Sequence, residues 1–588
     1  MTGVDNDAID RAWWKEAVVY QIYPRSFNDT DGNGVGDIAG VIEKVDYLDD
    51  LGVDCVWLNP VYESPNADNG YDIADYQSIM AEFGTMAEWD RLLDELHDRD
   101  IRLIMDLVVN HTSDEHAWFV ESRDPASEKR DWYYWREGVD ADTVDYDTDE
   151  GPAGEAAPNN WESFFGGPAW AYDEASEEWY LHMFDRKQPD LNWRNDEVRE
   201  AVFDMMEWWL QKGIDGFRMD VVNLLSKPEG LPSGDPDLPN NGMLDLVANG
   251  PRIHEYLGEM NEAVLEGRDL LTVGEMLADD MPMETARQYV GEDGDGLSMI
   301  FHFEHMLLDR GEHIWEDEDW DLPDLKAVFT RWQEGLAEDG WNSLYLNNHD
   351  QPRMVSRFGN DDEYRRESAK LLGTLLHTLQ GTPYVYQGEE LGMTNYPFES
   401  LDDFRDVDTL NPLRNAIDSG EIEDFASVRQ AVNANSRDNA RTPMQWSADE
   451  HAGFTDGDPW IGVNPNYEEI NAESERDDPD SVWHYYRDLI ALRDDYDVVV
   501  YGEYENYLPD HESLWVYTRT LSDERLLVTL NFSDTPTAFS RPDEVSIDAT
   551  DDVDHLVGNY DDVDDAPAAA DLEDLRLRPW EARVYHLD

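Results

Sequence analysis

The sequence predicts an α/β protein: a (β/α)8 TIM barrel with a small domain inserted after strand 3 and an all-β domain at the C-terminus. Three observations predict it. Eight short apolar runs alternate with longer amphipathic segments along most of the chain. Two long stretches, 111–193 and 389–480, interrupt the alternation after the third and eighth runs. From about residue 500 the pattern changes to short alternating strands. Apolar runs bounded by turn residues mark strands buried on both faces, and strands alternating with helices make parallel βα units.

In order, the runs are AVVYQIYPR (17–25), DCVWLNPVY (54–62), RLIMDLVVN (102–110), GFRMDVV (216–222), LLTVGEM (270–276), SMIFHFEH (298–305), NSLYLNN (342–348) and TPYVYQG (382–388). Helical periodicity appears over 38–52, 86–100, 196–213, 364–380 and 481–493. The domain reading is therefore 1–110 and 194–500 for the barrel, 111–193 for the inserted domain and 501–588 for a C-terminal β-sandwich. The 389–480 insertion stays with the barrel. Loops this long are uncommon unless functional, and both insertions belong over the C-terminal mouth of a barrel, where its active sites lie. SLWVYTRTL, RLLVTLNFS and ARVYHL are the clearest C-terminal strands, and 548–574 reads as loop-rich acidic surface. No internal repeat is present.

Composition narrows the function. The 588 residues carry 134 Asp plus Glu against 43 Lys plus Arg, a formal charge of −91. Nucleic acid and anionic membranes are excluded as partners, because both need basic surface. The chain is not a disordered acidic segment, since aromatics make up 12% and hydrophobics 40%. The acid is spread along the chain, and only 8 of the 43 basic residues are Lys. Molar salt cuts the screening length to about 3 Å, so such a surface fits a salt-adapted protein from a halophile with a concentrated-salt cytoplasm. The single cysteine, Cys55, lies in an apolar run and reads as a small buried hydrophobe. The N-terminus lacks the basic-then-apolar pattern of a leader, and no window approaches the ~18 apolar residues of a membrane span. The expectation is a cytoplasmic protein whose oligomeric state the sequence leaves open.

With so much acid, a carboxylate means little unless it interrupts an apolar strand, where burial is costly. Four strand ends qualify. The third carries Asp106, Asn110 and His111, and the fourth Arg218 and Asp220. The fifth carries Glu275, and the seventh His349 and Asp350. In a barrel these ends converge on one mouth. Asp106 is either a structural acid or a ligand contact.

DLVVNHT, GFRMDVVN, VGE and NNHDQPR resemble the four core motifs of the α-amylase superfamily, glycoside hydrolase family 13. QPDLNW (188–193) resembles a further motif of its inserted domain. YQGEELGM and RDNARTPMQW resemble its oligo-1,6-glucosidase and α-glucosidase branch. The resemblance implies that Asp220 is a nucleophile and Glu275 the general acid and then base. Such a pair retains anomeric configuration. It implies that Asp350 binds sugar hydroxyls and steadies the transition state, with His111 and His349 bonded to the same sugar. Asp72, in NGYDIADY, and Arg441 match positions that grip the non-reducing end and so impose exo action. Arg218, two residues before Asp220 on the same strand face, would keep the nucleophile ionised. Phe164, in ESFFGG, is either a stacking face for the sugar or a core aromatic. Val221, after the nucleophile, tilts the expectation towards α-1,6 linkages, with α-1,4 bonds and sucrose still open.

Residues 29–37, DTDGNGVGD, copy the first part of an EF-hand loop. Asp29, Asp31, Asn33 and Asp37 are at positions 1, 3, 5 and 9, and the Val35 carbonyl is at position 7. Gly40 stands where an EF-hand has its bidentate Glu, so this is not an EF-hand. The loop resembles the calcium loop after the first strand in this branch. The expected cofactor is structural Ca²⁺, or else Mg²⁺.

The expected function is a retaining, exo-acting α-glucosidase on short oligosaccharides, active in salt. A glucosyltransferase or a sucrose or trehalose isomerase would share every catalytic residue. A non-catalytic relative of transporter heavy chains would need a membrane anchor and would lack catalytic acids; here the acids are present.

Overall fold

Eight parallel strands form one sheet in the order 6-5-4-3-2-1-8-7 by position along the barrel. They are Val19–Ile22, Cys55–Leu58, Arg102–Leu107, Gly216–Met219, Leu271–Glu275, Met299–Phe301, Ser343–Leu344 and Thr382–Tyr386. A parallel bridge between Ile300 and Asn342 joins the two ends, and Ser343 Oγ donates to Ile300 O at 2.7 Å, so the sheet closes into a barrel. The computed structural model describes residues 9–146, 151–278, 280–291, 294–311, 313–316, 318–542, 545, 553–561, 563 and 566–587. Residues 1–8 of the N-terminal stretch read above lie outside these, as do 548–552, 562, 564 and 565 of the acidic stretch 548–574.

All eight apolar runs supply strands, because fully apolar segments bury both faces. The seventh is much shorter than its run. The chain leaves the sheet after Leu344, and Asn348 Oδ1 accepts from Asp350 N at 2.7 Å, a side-chain turn that turns the backbone into the mouth. Gly216 begins the fourth strand at φ 154°, and a Cβ there would lie 1.8 Å from Leu271 O, so only glycine lets strands four and five meet.

The helix expected over 38–52 is two, Ile38–Glu43 and Val45–Leu51, broken at Lys44. The other four predicted helices form as Met86–His97, Asp196–Lys212, Arg365–Thr378 and Val482–Asp495. Thr85 and Glu88 close a capping box on the first of these, and Gly213 ends the second in the left-handed region. Helices Ile253–Met260, Met283–Val290 and Leu322–Leu336 complete the outer layer after strands four to six.

Within 111–193 a small antiparallel sheet pairs Glu178–Leu181 with Trp135–Arg136 and Trp170–Asp173. Its core of Tyr134, Trp161, Trp170 and Trp179 also takes in Leu231, Met243 and Val247 from the loop after strand four. Within 389–480, helices Val407–Ser419 and Phe425–Asn435 pack on Phe398 and Phe404. The C-terminal region has a five-stranded antiparallel sheet, with Thr537–Ser540 and Asp574–Leu577 as a second pair. Its joint with the barrel includes buried Lys326, whose ammonium donates to the carbonyls of Leu508, His511 and Leu514 at 2.7–3.1 Å. Among the described residues, no helix is long and apolar enough to cross a membrane.

Candidate active site

Strand register builds the base of the site. Arg218 lies opposite Asp106 on one neighbour and Val273 on the other, and side chains in parallel register share a face. Its guanidinium reaches three carboxylates: Asp106 at 2.8 Å, Asp220 at 2.7 Å and Glu275 at 2.7 Å. Asp220 takes the Nη1 arm and Glu275 the Nη2 arm. Arg218 is 1% exposed, beneath the cavity, so it acts on the carboxylates from below.

Asp106 also accepts from Trp57 Nε1 at 2.9 Å and from Asn59 Nδ2 at 3.3 Å. With both oxygens engaged and no place on the cavity wall, it is a structural acid. Burial pushes its carboxyl up to about 6 against the pull of Arg218. Burial also raises Asp220; Arg218 opposes this, and Glu275 and Asp106 add to it. Asp220 Oδ2 has no protein hydrogen-bond partner among the described residues, and Asp220 lines the cavity. Glu275 Oε2 accepts from Val221 N at 3.1 Å. Val221 holds that position at φ 36°, ψ 42°, a strained backbone for a β-branched residue.

The opposite wall is a second ion network. Asp350 Oδ1 lies 2.7 Å from Arg441 Nη2 and 3.4 Å from Arg437 Nη1. Both arginines also meet Asp406, at 3.1 and 2.5 Å. These cations and His349 outweigh burial and hold Asp350 well below the usual carboxylate range. His349 is pushed down to about 3, chiefly by burial. Its ring contacts Gln21 Nε2 at 2.8 Å and Tyr71 Oη at 2.7 Å, and it stacks on the Tyr71 ring. Burial lowers His111 to about 4, and Gln188 and the Tyr71 carbonyl hold it, each at 3.1 Å. Both imidazoles are neutral at neutral pH and serve as hydrogen-bonding groups.

These walls enclose a cavity of about 210 Å³ lined by Asp220, Val221, Glu275, Asp350, His111, Phe164 and Arg441, among others. Phe164 is half-buried against Phe184, with its side chain on the cavity. His349 and Arg218 lie behind the wall. Asp72 departs from its expected place. Its oxygens are taken by Ser64 Oγ, Ala67 N and Asp68 N at 2.9–3.0 Å, so it ties its own loop together. The carboxylate of this loop that lines the cavity is Asp68, four residues earlier in sequence. Asp68 Oδ2 accepts from Gln188 Nε2 at 3.0 Å, and Arg437 lies 3.9 Å from Oδ1. Burial pushes its carboxyl up to about 7. Sequence reasoning also missed Tyr71, Arg437 and Asp406, which follow no strand; Tyr71 lies in NGYDIADY and Arg437 begins RDNARTPMQW, yet neither was singled out, and Asp406 lies in no motif.

In the 29–37 loop, oxygens of Asp29, Asp31 and Asp37 lie within 4.8 Å of one another. Asp29 accepts from the backbone of Asp31, Gly32 and Gly34, and Asp37 from Thr30 and Gly40. Asn33 Oδ1 accepts from Val35 N at 2.8 Å. Backbone N–H groups offset only part of this clustered charge, and the donor set is all oxygen, which fits a hard cation. The loop is tied to the second insertion: Asp29 N donates to Phe454 O, and Trp460 N to Gly34 O.

The family model described as the alpha amylase catalytic domain matches residues 21–502. The oligo-1,6-glucosidase of Parageobacillus thermoglucosidasius is 53% identical over 98% of this chain and 100% of its own length. The solved trehalose-6-phosphate hydrolase of Bacillus licheniformis superposes with a TM-score of 0.89 at 45% identity, covering 98% of this chain and 100% of that one. The isomaltulose synthase of Erwinia rhapontici NX5 superposes with a TM-score of 0.91 at 42% identity, covering 98% and 99%.

Proposed function

The chain belongs to the α-amylase family and is a glycoside hydrolase of the exo-acting α-glucosidase kind; we propose that it releases α-glucose, with retained configuration, from the non-reducing ends of short oligosaccharides. The observation that carries the mechanism is the pair of carboxyls on the two arms of one guanidinium. Two carboxyls drawn to the arms of one guanidinium are held close together, which supports a retaining pair, whose carboxyls lie ~5–5.5 Å apart. Asp220, through its unpartnered Oδ2, attacks the anomeric carbon. Glu275 gives its proton to the leaving oxygen. Water then enters, Glu275 takes a proton from it, and the ester to Asp220 is cleaved. Asp350, permanently anionic, and neutral His111 bind hydroxyls of the reacting sugar. Asp68 and Arg441 close the end of the pocket.

Val221 lines the cavity next to Asp220, and the relatives named oligo-1,6-glucosidases support an α-1,6 preference. The isomaltulose synthase likeness favours a second reading, transfer of glucosyl groups to a sugar acceptor, less strongly. The test is product analysis in molar KCl on isomaltose, maltose, sucrose, trehalose and starch. Release of free glucose, first seen as the α-anomer by NMR and fastest from isomaltose, is the expected result. New glycosides from sucrose would favour transfer, and a β-anomer would end the retaining mechanism.

We assign structural Ca²⁺, with Mg²⁺ the weaker candidate, to Asp29, Asp31, Asn33, the Val35 carbonyl and Asp37. A salt-rich cytoplasm is the proposed setting, in keeping with the −91 charge and the lone buried thiol of Cys55.

A further inference from the structure

Beyond the closed pocket lies a wider cavity of about 610 Å³. The two share Phe164, Arg310 and Asp408, so one runs into the other. Their continuity makes the outer cavity the path for the rest of any oligosaccharide whose terminal sugar is in the pocket.

Two of the separate segments that line it, 236–241 and 310–315, each present a large apolar side chain. Leu238 is 42% exposed, one of two large apolar side chains so exposed among the described residues. Its loop is pinned: Asn240 Nδ2 donates to Ser163 O at 3.0 Å, and Asn241 Nδ2 to Asn160 O at 2.8 Å. Half-exposed Trp315 also lines the cavity. Its indole stacks on His313, with centroids 4.5 Å apart and planes at 19°. Asn435 Nδ2 donates to both Ile314 O and Glu316 O, at 3.3 and 3.0 Å, clasping the backbone on either side of Trp315. Leu238 and Trp315 thus present apolar surface to the cavity from anchored backbone. Pre-organised aromatic and aliphatic faces with polar groups between them are the usual lining of a ligand site. The C–H face of a pyranose suits an indole, and the lining carboxylates Glu162, Asp237 and Asp408, which outnumber Arg310, suit neutral hydroxylated units over anionic ones.

We propose that Trp315 and Leu238 form an outer subsite for neutral glucosyl units beyond the first leaving unit, which sets a preference for tri- and tetrasaccharides over disaccharides. It rests on the α-glucosidase reading. The test is kcat/KM on isomaltose, isomaltotriose and isomaltotetraose for the wild type, Trp315→Ala, Trp315→Phe and Leu238→Ser. Trp315→Ala is expected to lose about ten-fold on the longer substrates and to stay within about two-fold on isomaltose, from the apolar contact removed. Trp315→Phe should recover most of the loss, and Leu238→Ser should repeat it more weakly. Retained isomaltose activity shows that the variants fold. Equal losses on all three substrates, or no loss on any, would overturn the subsite while leaving the glucosidase reading intact. A wild type that cleaves no α-glucoside would overturn both.

Discussion

Replacing Arg218 by Lys keeps the charge and removes the fork. Arg218 makes three carboxylate contacts at 2.7–2.8 Å with two nitrogens on fixed arms. An ammonium is a single point on a flexible stem and cannot take up all three positions. A unit charge pair at 4 Å is worth about 4 kcal/mol at an effective dielectric of 20, and each pKa unit about 1.4 kcal/mol, so losing a contact shifts a carboxyl by at most about 3 units. Water entering the gap will screen part of this, leaving roughly 1–2 units. Asp220 is already raised by burial, with Arg218 the force pulling it down. Weakening that pull raises it further, and the nucleophile must be anionic. The acid limb of kcat/KM against pH should therefore move to higher pH by roughly 1–2 units. The assay is a pH profile on isomaltose in constant molar KCl, with circular dichroism to show that the variant is folded. A folded variant with an unmoved acid limb would refute the claim that Arg218 holds Asp220 ionised.

Asp68 and Asp72 should part in their effects. Asp68→Asn should raise KM about ten-fold or more, by loss of charge-assisted hydrogen bonds, and should flatten a wild-type fall in KM as pH rises through about 7. Asp72→Ala should instead lower stability by about 1–3 kcal/mol, read as a lower Tm, because three donors lose their acceptor. Glu389, buried beside Tyr486, is raised to about 8 by desolvation. Its folded value exceeds its unfolded one, so its contribution is complete below pH ~4.5 and is lost as pH rises through 8. Glu389→Gln should therefore reduce the fall in Tm between pH 5 and 8, and an unchanged slope would exclude this group. If the 29–37 loop binds the proposed cation, chelation with EDTA should lower Tm and loosen the 454–460 segment tied to that loop, with Ca²⁺ restoring both. Dialysis into dilute buffer should inactivate or unfold the protein, and full activity there would refute salt adaptation.

The barrel was legible because its strands are nearly pure apolar runs, a pattern no surface segment imitates. The 15-residue helix Leu322–Leu336 went unread despite its length, and the rest of what escaped had weaker physical signals. Ile253–Met260 and Met283–Val290 are eight residues each, about two turns, too short for a stripe to stand out. The break at Lys44 falls inside an unbroken amphipathic pattern, since both halves bury the same face. The debt of the inserted domain to Leu231, Met243 and Val247 is a packing fact between segments distant in sequence.

The site was legible where a charge interrupts an apolar strand, and illegible where it sits in a polar loop. Asp220 and Glu275 stand out because each ends a run that has no other reason to hold a carboxylate. Asp68 and Asp72 share the loop NADNGYD, where either could bond its own backbone, and only the folded turn decides which faces outward. Cations would have been the better guide in so acidic a chain. The arginines among the largest fully buried side chains are Arg218, Arg353 and Arg441. Arg218 is the floor of the pocket and Arg441 is on its wall. Arg353 bonds the carbonyls of Gln387, Asn439 and Ala440, the last of them next to Arg441. An abundant anion costs such a surface nothing, whereas a buried guanidinium persists only where carboxylates or carbonyls are arranged to meet it.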